Sequence, residues 1–237
     1  MIRIWLASCF WVLLVMCLGT SEVRAQLNSG EAASGLKEAL TSGTANAINL
    51  IGKPGGYLSN PAIKIGFPKN LSLVEKALRG MGFGPKIDDF VRSMNSAAEA
   101  AAPKAQPIFT SAIESMSFSD AQKIVTQGGH SATDYFQKKT TPELTAAFTP
   151  VVKQEMAKYS VTKQYDDLIG HFQTSAMSNL GGMFGGGAAK PSLDINSYVV
   201  HGALNGLFYE VGQQEEKIRT NPAAQVTPLL KSVFGGR

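Results

Sequence analysis

The stretch Tyr198-Val-Val-His-Gly-Ala-Leu-Asn-Gly-Leu-Phe-Tyr-Glu-Val-Gly-Gln-Gln-Glu-Glu-Lys-Ile-Arg219 has the pattern of one long helix with too little polar surface to lie exposed. At 3.6 residues per turn its apolar side chains share one face, and two glycines four residues apart form a smooth flank that another backbone can approach closely. A helix that is apolar or small on most sides is normally surrounded by other elements, so we predict that it is the axis of the fold. The predicted inner face is Val200, Ala203, Leu204, Leu207, Val211 and Ile218, and the flank is Gly202 and Gly206.

The chain begins with a segment typical of a secretory signal peptide. Residues 1–25 combine a basic start at Arg3, an apolar run over residues 4–18 and a small residue, Ala25, at the end. The apolar run is shorter than a membrane-spanning helix requires. We therefore expect cleavage after Ala25 and a periplasmic or secreted mature protein without a membrane span. A membrane anchor and a lipoprotein are the alternatives.

Cleavage after Ala25 removes both cysteines of the chain, Cys9 and Cys17. The mature protein then has no disulfide, no thiol nucleophile and no thiolate metal site, so packing alone stabilises it. The formal net charge of +4 includes no basic cluster, and we expect no nucleic-acid partner.

Helical spacing of apolar residues predicts one helical domain over residues 35–236. The small and polar residues 26–34 before it are predicted to form a flexible tail. Inside the domain, the glycine-rich residues 175–191 are predicted to form a loop. The Met and Phe side chains of this loop suit a movable cover or a partner contact, and an idle insertion is the alternative interpretation.

One stretch has the alternation of a strand. Ile63, Ile65 and Phe67 alternate with other residue types before Pro68 ends the run. We expect at most one small β-hairpin near residues 56–67. The predicted fold is therefore all-α, a single-domain multi-helix bundle around the central C-terminal helix.

Local signals mark several helix ends. Ser119-Asp-Ala-Gln122 fits the capping-box pattern, and Pro85 suits the first turn of a helix. Thr141-Pro142 and Thr149-Pro150 each place a threonine before a proline, as at a helix start, and so each predicts a start or a kink.

Six stretches, taken in order, carry a resemblance to a known family: Gly35-Leu-Lys-Glu-Ala-Leu40, Asn60-Pro-Ala-Ile-Lys-Ile65, Met94-Asn-Ser-Ala-Ala-Glu99, Ala132-Thr-Asp-Tyr-Phe136, Ala203-Leu-Asn-Gly-Leu-Phe208 and Leu229-Leu-Lys-Ser-Val-Phe-Gly235. Over nearly its full length the chain resembles the bacterial DUF4197 family of unknown function. The resemblance implies an exported, mainly helical envelope protein, and it supplies no catalytic residues. The family usually has a shorter, less glycine-rich stretch at residues 177–189 and often an acidic residue where Asn205 stands.

Four residues form a semi-polar, aromatic side of the central helix. Tyr198, His201, Asn205 and Tyr209 lie about one turn apart and are the candidate ligand-binding residues. A hydrogen-bonded core histidine is the plainer interpretation of His201.

The sequence indicates no metal site or catalytic centre. His130, His171 and His201 lack the spacing that places two ligands on one face. No nucleophile elbow and no phosphate-binding loop pattern occurs, so we assign no catalytic residue, metal or cofactor. An enzyme is still an option, because active sites assemble from residues distant in sequence.

Two functions follow from these patterns. The first is a non-enzymatic interaction or scaffold protein of the cell envelope, with an unknown envelope protein as its partner. The alternative is a carrier that holds an apolar ligand such as a lipid beside the central helix. A continuous apolar void beside residues 198–211 favours the carrier, whereas a filled core with an exposed apolar patch favours the scaffold.

Overall fold

The chain is all-α over the part that the structure describes. The computed structural model describes residues 20–179 and 194–221, with side chains for residues 33–171 and 194–221. Helices and turns without any strand make up these residues, as predicted. The helices are α1 (Thr20–Ile51), α2 (Ser72–Gly80), α3 (Gly84–Ala101), α4 (Ala105–Glu114), α5 (Phe118–Gln127), α6 (Ser131–Lys158), α7 (Val161–Asn179) and α8 (Ile195–Thr220), and short 3₁₀ helices cover Lys69–Leu71 and Ala102–Lys104.

Helix α8 is the central element, as predicted. It packs against α6, α1 and α3. Val199, Ala203 and Leu207 on its inner face are completely buried. The rest of the predicted face is buried too, except Ile218, which is partly buried against the core.

Asp194 fixes the start of α8. Its Oδ1 atom accepts hydrogen bonds from the backbone N–H groups of Asn196 (3.0 Å) and Ser197 (3.2 Å), and its Oδ2 atom accepts one from the Ser197 hydroxyl (2.6 Å). These bonds stabilise the charged carboxylate, and the Ser197 hydroxyl is the largest reason that the pKa of Asp194 is lowered. An acidic cap of this kind matches the positive end of the helix dipole.

Residues 52–68 form turns without a strand, and we call this segment the strap. Ile65 donates its N–H to Asn95 Oδ1 at 2.9 Å, and Asn95 Nδ2 donates to the Ile65 carbonyl at 2.8 Å. Tyr57 donates its N–H to Glu99 Oε1 at 3.1 Å. The sequence allowed at most one small hairpin here, and none forms because side chains of α3 make the hydrogen bonds that a partner strand would have made.

Helix α1 extends further toward the N-terminus than the sequence predicted. Residues 26–34, expected to be a flexible tail, belong to this helix. Ala32 and Ala33 are strong helix formers, and Ala33 packs against the core, which favours continuing the helix through this segment.

Residues 175–179, predicted to belong to the glycine-rich loop, are part of α7. Residues 180–193, which include the rest of that predicted loop, lie outside the described part of the chain, as do residues 1–19 and 222–237.

One local prediction is corrected at a helix end and another is narrowed. The capping box of α5 is formed by Ser117 and Asp120, two residues earlier than Ser119 and Gln122. Pro142 and Pro150 were each predicted to mark a helix start or a kink, and a start is excluded because both lie inside α6. The carbonyls they leave unbonded belong to the exposed residues Lys138 and Ala146, which solvent can reach. Pro85 does lie in the first turn of α3, as predicted.

None of the described helices carries an apolar stretch long enough to cross a bilayer.

Candidate functional site

Tyr198, the first of the four predicted site residues, belongs to the packing of the strap. Its hydroxyl donates to the Gly66 carbonyl at 3.1 Å, and its side chain is half-buried. Burial raises the pKa of Tyr198 above its ordinary value, so the hydroxyl keeps its proton and serves as a donor.

The other three predicted residues line the outside of α8, and we call them the outer stripe. His201 and Asn205 are exposed, and the side chain of Tyr209 is 44% exposed. The three lie four residues apart, so they form one row along the helix. None of them makes a side-chain hydrogen bond or ion pair with another described residue. The structure therefore brings them together as a surface and not as a buried site.

The glycine flank of α8 is covered by side chains of the strap, whereas the sequence suggested a close backbone approach. The Tyr57 ring lies directly on Gly206, in the place that a Cβ atom there would occupy. A Cβ atom at Gly202 would lie 3.0 Å from Ile65 Cγ1. The Tyr57 hydroxyl donates to the Ala203 carbonyl at 2.6 Å, which fixes the ring against the helix.

A buried polar cluster surrounds Tyr57. Glu99 reaches it from α3 and accepts the Tyr57 and Leu58 N–H groups at 3.1 and 3.4 Å. Glu210 of α8 is also buried, and it accepts a 3.4 Å hydrogen bond from Gln214 Nε2. Burial is the main reason that the pKa of Tyr57 is raised, and the nearby carboxylates of Glu99 and Glu210 raise it further. A phenol held in its protonated form is a hydrogen-bond donor rather than a nucleophile or general base.

A second buried network joins the other end of α8 to α6 and α5. Glu215 accepts the N–H groups of Ala132 and Thr133 at 3.0 and 2.9 Å and so caps the start of α6. Arg219 Nη2 pairs with Glu215 Oε1 at 2.6 Å and also donates to the Ser131 hydroxyl at 3.1 Å. The same nitrogen donates to the Ile124 carbonyl, the last turn of α5. The bonds from Glu215 to α6 and from Arg219 to α5 and α6 join three helices, and the Glu215–Arg219 pair within α8 connects them.

A polar cleft lies where α3 and α7 cross, with a volume of about 230 Å³. Gln164 donates from Nε2 to the Tyr159 carbonyl at 2.9 Å, while its Oε1 atom is buried without a hydrogen-bond partner. His171 stacks on Phe83 with ring centroids 4.7 Å apart. Charged side chains at the mouth make the cleft unsuitable for an apolar ligand. It is lined by Lys86, Asp89, Gln164, Asp167, Leu168 and His171.

The three histidines have different surroundings in the fold. His130 precedes α6 and lies beside Gly212, His171 stacks on Phe83, and His201 is exposed on α8. Within the described residues, no group of three His, Cys, Asp or Glu side chains is arranged to hold a metal ion.

Sequence reasoning missed Tyr57, Glu99 and Asn95. The available signal was on α3, where Asn95 and Glu99 lie four residues apart on the same side as Val91, a buried apolar residue. Polar side chains on an apolar helix face need partners. The partner segment, however, is not near in sequence and has no pattern that identifies it.

Comparison with known proteins gives a family without an assigned activity. The profile of DUF4197, described as a protein of unknown function, matches residues 26–235. No curated protein and no solved structure matches the chain.

Proposed function

This chain belongs to the DUF4197 family of proteins of unknown function, and we propose that it is an exported, non-enzymatic interaction or scaffold protein of the cell envelope. One observation carries the proposal. The inner face and glycine flank of α8 are packed with side chains, whereas His201, Asn205 and Tyr209 on its outside are exposed and unpaired among the described residues.

Packing around α8 favours an interaction protein over a carrier. A lipid-sized ligand needs a pocket of roughly 300 Å³ or more with apolar walls. Beside α8 the Tyr57 ring occupies the space over Gly206, and Ile65 occupies the space over Gly202. A small cavity between α1, α6 and α8 measures about 10 Å³. That volume holds no more than about one water molecule.

The outer stripe has the chemistry of a contact surface. Tyrosine is enriched at protein interfaces because its ring provides apolar area and its hydroxyl provides a hydrogen bond. His201 and Asn205 add donors and acceptors on the same side. The row spans about 12 Å along the helix, which matches two turns of a partner helix or a short extended segment.

Export is supported by the sequence of residues 1–25, with its basic start, short apolar run and small residue before the expected cleavage point. An exported protein would be periplasmic or secreted, where it could meet a partner of the cell envelope.

Photo-crosslinking from the outer stripe tests the proposal. A photoreactive phenylalanine analogue replaces Tyr209 in the full chain expressed in its own cell, and the matched control carries the same group at Tyr159. Tyr159 is 41% exposed and lies at the end of α6. We expect a discrete protein adduct from position 209 and none from position 159. We also expect native mass spectrometry of the purified protein to show no bound lipid. A bound lipid of constant mass with no adduct at 209 would favour the carrier instead.

A further inference from the structure

Residues 53–60, the first half of the strap, differ from the second half in how they are held. Tyr57 is the one large side chain of this segment that is completely buried, whereas Ile63, Ile65 and Phe67 are all buried in the second half. Apolar burial scales with area, so the first half is held by much less apolar contact than the second half.

The hydrogen bonds that join residues 53–60 to the helices come from two adjacent residues. Tyr57 provides the N–H donated to Glu99 and the hydroxyl donated to the Ala203 carbonyl, and the Leu58 N–H donates to the same Glu99 oxygen at 3.4 Å. Backbone bonds within the strap complete the set, such as Ser59 N–H to the Gly55 carbonyl and Lys64 N–H to the Asn60 carbonyl. If Tyr57 and Leu58 leave their places together, α3 and α8 therefore lose their hydrogen bonds to the segment.

The two carboxylates near Tyr57 act in opposite directions. Glu99 stabilises the closed arrangement through the N–H groups that it accepts from Tyr57 and Leu58. Glu210 is buried, makes no bond to the strap and forms no ion pair with a described residue. Removing a carboxylate from water is costly unless it is paired with an opposite charge. Lifting Tyr57 returns water to Glu210, which offsets part of the lost packing and of the lost bonds to Glu99.

We propose that residues 53–60 are a latch that opens on its own, with the helical bundle and the second half of the strap still folded. The left-handed Gly55, at φ +80°, provides a hinge next to its glycine neighbour Gly56. The open form uncovers Glu99, Glu210 and the part of Gly206 that the Tyr57 ring covers, while Ile65 still covers Gly202. The latch is thus a two-state element: the packing and hydrogen bonds of Tyr57 and Leu58 favour the closed form, and the burial of the Glu210 carboxylate favours the open form. This inference does not depend on the proposed function.

Hydrogen exchange of single backbone amides under native conditions tests the latch. The reporters are the N–H groups of Tyr57 and Ser59 in the latch, and the N–H of Ile65, which is bonded to Asn95 in the second half of the strap. In the unaltered protein we expect the two latch amides to exchange faster than the Ile65 amide. Equal rates at all three amides, or rates equal to those of buried α8 amides, would overturn the proposal.

Two substitutions are expected to change the hydrogen-exchange rates of the latch amides in opposite directions. Tyr57→Phe removes the hydroxyl bond to Ala203, and we expect exchange about fivefold faster at the latch amides with Ile65 unchanged. Glu210→Gln removes a buried charge without changing the shape, and we expect slower exchange at the same amides. The matched control is Glu216→Gln, on the exposed side of the same helix, which should change neither rate. Faster exchange in Glu210→Gln, or acceleration that extends to Ile65 in Tyr57→Phe, would contradict the latch.

Discussion

Gly206 and Tyr57 explain how the chain closes the side of its central helix. The helix has no side chain at 206, and the tyrosine ring of a distant turn fills that place. Ile63 lies next to it, since a Cβ atom at 206 would come within 3.2 Å of Ile63 Cβ. Two buried carboxylates and a backbone carbonyl complete the surroundings of the ring. The fit is specific to these residue types, because a larger residue at 206 and the ring at 57 cannot occupy the same space.

Gly206→Leu is expected to lower the free energy of unfolding by about 3 kcal/mol, because the new side chain forces Tyr57 and Ile63 out of the core. Chemical denaturation of the mature protein measures the change. Gly80→Leu is the matched control, since Gly80 is exposed and has nothing within 4 Å of the position of a Cβ atom. Equal stability of the two variants would show that the flank of α8 is not packed.

Glu215→Ala is expected to lower the free energy of unfolding by about 3 kcal/mol, because it leaves the partly buried Arg219 without its carboxylate and removes the cap from the start of α6. Thermal melting compared with Glu216→Ala measures the difference, since Glu216 is the exposed neighbour on the same helix. A loss no larger than that of the neighbour would mean that the Glu215 network contributes nothing to stability.

The helices show which features the sequence predicts and which it does not. The 3.6-residue periodicity of α8 predicted its inner face, because that pattern is local to one element. The alternation of Ile63, Ile65 and Phe67 predicted a strand, but alternation only indicates which side chains are buried and not what the backbone bonds to. Asn95, which is 30 residues from Ile65 in the sequence, bonds to the backbone there. The Tyr57 to Ala203 bond spans 146 residues, a pairing that no local pattern contains.

Pro142, which lies inside α6, allows the cost of a proline within this helix to be measured. Pro142→Ala restores an N–H inside the helix and relieves the contact of the proline ring with the preceding turn, so we expect a gain of about 1–3 kcal/mol in thermal or chemical denaturation. Pro85→Ala is the control, because a proline in the first turn of α3 lacks only an N–H that has no helical partner there. A loss of stability in Pro142→Ala would contradict the expected cost of a proline inside α6.

For the whole molecule, periodicity was enough to predict the all-α fold class, because each long helix carries its own apolar stripe. The candidate site was predicted only in part. His201, Asn205 and Tyr209 do share a face, but the Tyr198 hydroxyl donates a hydrogen bond to the Gly66 carbonyl of the strap. That bond depends on the path of a turn segment, which residue patterns do not specify.

Processing between Ala25 and Gln26 is the prediction for the whole chain. The prediction rests on the sequence, in which a basic start and a short apolar run lead to a small residue at the expected cleavage point. N-terminal sequencing of the exported protein should start at Gln26, and a chain beginning at Gln26 should melt as the exported protein does. Recovery of Met1 in the membrane fraction would contradict it.

The contact between Tyr57 and Gly206 also constrains how relatives of this chain can diverge. A bulkier residue at 206 is harmful while the tyrosine is present, and a smaller residue at 57 leaves a hole while the glycine is present. Neither position can change alone without loss of stability, so a substitution at one is tolerated only after, or together with, a substitution at the other. Lineages should therefore carry matched pairs at these two positions, and hybrids that combine one from each should be less fit than either parent.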